Sequence, residues 1–180
     1  MATPNLSHVQ IAQLSSLVAQ YIATQQGRYI SAAAPLSVQH KTSMAGFFTP
    51  QILAETQLLT LQGERVPNPD FYPLLFGYGF KNLPNFSTMA AITFSNAVVS
   101  HEPFTNGLLF HELVHVEQYR QLGIERFSEL YVRGFLNGGG YFEIPLEQNA
   151  YLLGSRFEQN PAHRFSVADE VSRWITENRF

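Results

Sequence analysis

Between Leu108 and Leu122 the chain carries a strongly apolar segment, and polar residues are set inside it. Leu108, Leu109, Phe110, Leu113, Val114 and Val116 surround His111, Glu112 and His115. A helix here is buried, yet it carries two imidazoles and a carboxylate. Thr105 or Asn106 supplies its cap, and Gly123 closes it. His111 and His115 stand four apart, so one helical turn stacks both rings on the same face. Histidines on an ordinary solvent-facing helix would not need so apolar a setting.

The spacing specifies a chemistry. Two imidazoles held this way bind one zinc ion at about 2.0–2.1 Å each. Glu112, beside the first ligand, can bring its carboxylate to a metal-held water as general base. The chain has no cysteine, which removes thiolate-ligated metal sites and disulfide scaffolds and leaves His, Asp and Glu as the strong ligands. Catalytic zinc takes three protein ligands and keeps one position for water. The extended pattern with a third histidine on the same motif fails, since positions 118 and 121 are both Gln. No Met follows Met89, which excludes the metzincin pattern with its Met-turn. The third ligand is therefore sought among Glu143, Glu147, Glu158, His163 and Asp169, with Glu125 and Glu129 disfavoured because the chain has barely turned back. Glu147 is the choice. It falls in the first turn of a helix opened by Pro145, and an antiparallel return past the first helix would deliver it. Pro145 disfavours helical geometry at Ile144 and leaves Glu143 in extended chain.

The rest of the chain reads as a single α+β domain of 180 residues, mostly helical, with a small sheet packed on the 108–122 helix. With 45% hydrophobic and only 14% charged residues, much of it is buried. A first helix runs from a Thr3-Pro4 cap to Gly27, and a second opens at Thr49-Pro50. Gln57 to Leu61 is a short strand and Ala90 to Val99 a longer one. The helix from Pro145 buries Leu146, Ala150, Leu153 and Phe157, and a last helix capped by Ser166 buries Val167, Val171, Trp174 and Ile175. Residues 1–85 form a helical part without an assigned role, 86–160 the metal-site core, and 161–180 a carboxy-terminal helix. A net charge of −3 argues against an electrostatic nucleic-acid partner. Neither a signal segment nor an 18-residue apolar span is visible, so no membrane association and a cytoplasmic location are expected.

Ala91-Ile92-Thr93-Phe94-Ser95-Asn96, followed by Leu108-Leu109-Phe110-His111-Glu112-Leu113-Val114-His115-Val116-Glu117-Gln118, resembles the zincin-like metallopeptidases. Within them it is most similar to the domain associated with bacterial extracellular contractile injection systems. Ile144-Pro145-Leu146-Glu147-Gln148-Asn149-Ala150-Tyr151 is similar to the Glu-x-x-Ala stretch that supplies the third ligand in gluzincin-type enzymes. The resemblance covers residues 86–160. It implies a zincin fold, with the active-site helix beneath a small sheet whose edge strand binds extended peptide. It also implies a zinc-dependent hydrolase acting on peptide or protein, with His111, His115 and Glu147 as ligands and Glu112 as base. Tyr151 is the expected oxyanion donor, with Tyr141 and Tyr131 as alternatives. Gln118 is placed to orient a ligand, His101 lies near the cleft, and Gly138 to Gly140 could form a flap. The rival reading is a metal-binding but inactive binding or structural module, against which the presence of Glu112 argues.

Overall fold

Ser7 opens the first helix with a reciprocal cap. Its hydroxyl accepts from the Gln10 amide while the Gln10 side chain accepts from the Ser7 amide. In the computed structural model, which describes residues 4–180, helix α1 accordingly runs His8–Tyr29. The cap expected at Thr3 lies outside the described residues. The helix also passes through Gly27 instead of stopping there. Leu14, Ile22 and Tyr29 bury one stripe, and that packing carries the helix beyond the glycine. Shorter elements follow: β1 (Ala34–Pro35), α2 (Val38–Met44), α3 (Pro50–Glu55), β2 (Gln57–Thr60) and α4 (Tyr72–Gly77).

The stretch expected to be one strand over Ala90 to Val99 is instead a tight hairpin of β3 (Ala91–Phe94) and β4 (Ala97–Ser100). Ser95 takes a left-handed φ of 58°, and Phe94 closes opposite Ala97. Asn96 ties the turn down on both sides, donating to the Glu55 carbonyl (3.0 Å) and accepting from the Gln26 amide (2.7 Å). The turn carries no glycine, so the alternation runs through it without a visible break. The sheet order is β1-β2-β4-β3, with β2 parallel to β4 and the other neighbours antiparallel.

The two faces of the sheet take different helices. Phe94 packs its ring against Tyr21 and Tyr29 of α1. Thr93, its neighbour on the opposite face, bonds to Glu112 of helix α5 (Asn106–Gly138). Thr105 caps α5 by accepting from the Leu108 amide (3.1 Å). At Gly123 the backbone leaves helical geometry (φ 74°, ψ 165°), a conformation that only glycine adopts cheaply. The break divides α5 into arms 106–122 and 124–138.

After a 3₁₀ turn at Tyr141–Glu143, helix α6 (Pro145–Gln159) returns along α5, and α7 (Val167–Thr176) completes the chain. The pairings Gln118–Leu146, His111–Tyr151 and Phe110–Phe157 show that α6 runs antiparallel to the first arm. Gly134 lets the second arm approach Pro145 and Ile144, where a Cβ would collide. Glu143 thus lies in a 3₁₀ turn and not in extended chain. The restriction imposed by Pro145 falls on Ile144 alone (φ −69°, ψ 121°).

The first arm separates two apolar clusters. Leu109, Phe110, Leu113 and Val114 join Phe47, Phe157 and Val171 on one side. Tyr119, with Phe127 and Phe135 of the second arm, joins α1 and the sheet on the other. The result is a mixed α+β, mostly helical structure with a small four-stranded sheet. No helix among the described residues is long and apolar enough to cross a membrane.

Candidate metal centre

Between the two apolar clusters, α5 presents a polar strip formed by His111, His115 and Gln118, with Glu112 beside it. Glu147 meets this strip from the first turn of α6. His115 Nε2 lies 3.2 Å from His111 Nε2, and Glu147 Oε2 lies 3.3 Å from His115 Nε2 and 3.5 Å from His111 Nε2. Donor atoms around a tetrahedral zinc with bonds of 2.0–2.1 Å sit about 3.3–3.4 Å apart. The three separations match that figure. Among the described residues no other group of three His, Asp or Glu converges in this way.

The local hydrogen bonding fits an ion as well. Glu147 Oε2 is buried and makes no hydrogen bond among the described residues, only its close contacts with the two imidazoles, which leaves it able to ligate a cation. His115 Nδ1–H donates to Gln118 Oε1 (2.8 Å). An amide oxygen only accepts, so this bond keeps a proton on Nδ1 and aims Nε2, the nitrogen that takes either a proton or a metal, at Glu147 and His111. Gln118 is held in turn by donating to the Leu146 carbonyl and to Asn149 Oδ1, both at 3.0 Å. Burial alone would lower the His115 pKa, but the adjacent Glu147 carboxylate carries it up to about 9. Burial would likewise raise Glu147, yet the two imidazoles hold it well below the usual carboxylate range.

Glu112 is 4% exposed and is not one of the converging donors. Its Oε2 accepts from Thr93 Oγ1 at 2.7 Å, so strand β3 fixes the carboxylate next to the triad. Tyr151 lies across His111, with ring centroids 4.6 Å apart. Burial first, then Glu147, raises the phenol pKa of both Tyr151 and Tyr141. Both therefore remain O–H donors at neutral pH. An open cleft runs past His111 and Glu112 and is bordered by Tyr141, Phe142, Tyr151 and Ala91. Tyr131 stands further in, on the apolar side of the site.

Other expected residues lie elsewhere. His101 is a structural tie: its Nε2 accepts from the Val66 amide (3.0 Å) and its Nδ1 donates to the Met89 carbonyl (2.6 Å). Glu129 spans Arg126 and Arg133, and Glu158 borders the cleft without joining the triad. Gly138 packs against Glu143 where a Cβ would collide, so the glycine run is a packed turn at that point. Two contributors carried no role in the sequence reading. Thr93 has no local signal, because its partner is 19 residues away. Asn149 did have one: it is a polar residue on the stripe of Leu146 and Leu153, and it is fully buried. Comparison of the chain with known protein families, curated proteins and solved structures finds no match.

Proposed function

We propose that this protein is a zinc-dependent hydrolase of gluzincin type, with a zincin-like arrangement of helix and sheet, acting on peptide bonds. The observation that carries the reading is the convergence of His111, His115 and Glu147 at zinc-ligand separations beside a fixed, non-ligating Glu112. Zinc, when bound by these three residues, supplies Lewis acidity that polarises a carbonyl and makes water acidic near neutral pH. The protein's own groups do the rest. Glu112, with one oxygen held by Thr93, takes the proton from the attacking water and delivers it to the leaving amine. Tyr151, with Tyr141 close by, offers a neutral phenol O–H to the oxyanion. β3 is an edge strand paired only with β4, and its Ala91 borders the open cleft. Such an edge suits an extended peptide.

Metal analysis of wild type and His115→Ala, together with a mixed peptide library, tests the reading. Wild type is expected to carry one zinc per chain and His115→Ala none. Glu112→Gln is expected to keep its zinc and lose hydrolysis by about 100-fold or more. A folded preparation that stays metal-free under zinc titration overturns the proposal. Zinc without any Glu112-dependent hydrolysis favours the inactive binding module, and loss of zinc in Glu112→Gln assigns that residue to the metal.

A further inference from the structure

Beneath the open cleft lies a second, apolar chamber of about 110 Å³ whose end wall is the metal site itself. Glu112, His115 and Glu147 form that end. The far walls come largely from the amino-terminal part of the chain: Leu14, Val18 and Ile22 of α1 and Leu75 of α4, closed by Val132 and Phe135 of α5. Five tyrosines also line it, Tyr119, Tyr131, Tyr141, Tyr21 and Tyr72, and the hydroxyls of the last two are occupied. The Tyr21 hydroxyl donates to the Pro67 carbonyl and that of Tyr72 to the Pro84 carbonyl, both at 2.7 Å. Chamber and cleft share Met89, Ala91, Glu112 and Tyr141 as a common wall. The two spaces therefore adjoin at Glu112, the point at which a side chain of a peptide in the cleft would enter the apolar space.

We propose that this chamber receives an apolar side chain of the peptide substrate, of leucine, isoleucine or methionine size, next to the bond that is cut. The inference rests on the hydrolase reading above and adds its substrate class. The size follows from volume. An apolar cavity of about 150 Å³ holds benzene, so about 110 Å³ suits a branched or linear group of about four carbon-sized atoms. The polarity follows from the lining. A charged side chain would lose its water and find no opposite charge on the far walls, whereas an apolar one recovers the cohesion that an empty space forgoes. The chamber also gives residues 1–85 a role: α1 and α4 determine which residue the site accepts.

The experiment uses the full-length, zinc-loaded protein and a peptide series varied one position at a time through Ala, Leu, Phe and Lys. At one position next to the cut, Leu is expected to exceed Ala by about 60-fold in kcat/KM, from about fourfold for each buried carbon, with Lys below Ala. Val18→Phe, which fills the chamber, should abolish the Leu preference while leaving zinc content unchanged. Ile22→Ala, which enlarges it, should move the preference toward Phe; the two variants change the chamber volume in opposite senses. In parallel, the uncharged probe 4-methylpentanamide is titrated into wild type and Val18→Phe and followed by NMR. Binding to wild type that is lost in Val18→Phe supports the chamber even if no peptide is hydrolysed, in which case only the hydrolase reading falls. Glu112-dependent hydrolysis with no apolar preference, or with a preference that neither variant moves, overturns the chamber and leaves the hydrolase reading standing. Absence of both probe binding and apolar preference overturns the inference outright.

Discussion

Replacing Gln118 with Leu tests whether the buried amide orients His115, a proposed metal ligand. The two side chains are close in shape, so the exchange removes hydrogen bonds with little loss of packing. Gln118 is fully buried and makes three such bonds: from His115 Nδ1 at 2.8 Å, and to the Leu146 carbonyl and Asn149 Oδ1 at 3.0 Å. Its loss strands the His115 N–H and the Asn149 amide, whose nitrogen already lacks a partner among the described residues. At about 1–3 kcal/mol per stranded buried group, the metal-free protein should lose about 3 kcal/mol. For a chain of this length that lowers Tm by about 6–12 °C. Zinc affinity should fall about 10–100-fold, because the ring is free to turn and its tautomer is no longer fixed. Urea unfolding in chelator gives the first quantity, and competition against a chromophoric chelator gives the second. Gln118→Glu separates the two effects. It still accepts from His115 but cannot donate to Leu146 or Asn149, so it should keep more zinc affinity than the Leu variant while losing comparable stability. A Leu variant that binds zinc within twofold of wild type would refute the orienting role.

Three further outcomes follow from the geometry taken with the proposed function. Glu147→Ala should lose zinc to a chelator at far lower concentration than Glu143→Ala, because only Glu147 meets the imidazoles; the reverse order in a side-by-side titration would reassign the third ligand. Thr93→Val removes the hydroxyl that holds Glu112 Oε2 and should lower kcat about 10-fold or more with zinc content unchanged, as read by steady-state kinetics and metal analysis. Phe110→Ala empties a fully buried position stacked on Phe157 (4.4 Å) and edge-on to Phe47 and Phe48, and should cost about 3–5 kcal/mol in urea unfolding.

The parts of this site that local geometry dictates could be read from the sequence. Four-residue spacing on a helix places His111 and His115 together whatever the rest of the chain does, and Pro145 fixes where α6 begins and hence which of its residues lies in the first turn. Glu147 needed one additional step, the antiparallel return of α6, which the glycine-rich turn made foreseeable. The Thr93–Glu112 bond could not be foreseen. It joins a strand to a helix across a sheet face, and nothing near Thr93 marks that contact. The hairpin at Ser95-Asn96 was hidden for a related reason: the asparagine is secured by Gln26 and Glu55, both far away in sequence, so tertiary contacts stabilise a turn that local residues do not announce. The apolar chamber is further still from the sequence, being a space enclosed by α1, α4 and α5 that no single segment contains.

The parallel pairing of β2 with β4 has a consequence for how this chain can be cut and how it assembles. Gln57 opposes Ala97, a separation of 40 residues, and closing a loop of that size costs roughly 3 kcal/mol of chain entropy before any contact repays it. The strand next to the hairpin therefore pairs only across a long loop, which favours slow folding. A fragment starting near residue 86 would keep both histidines and Glu147, yet it would leave β4, buried along its whole length, with one bare edge. Such an edge recruits other chains. Trimming the protein to the stretch that carries the candidate triad should consequently yield aggregates, and a minimal folded unit has to retain β2.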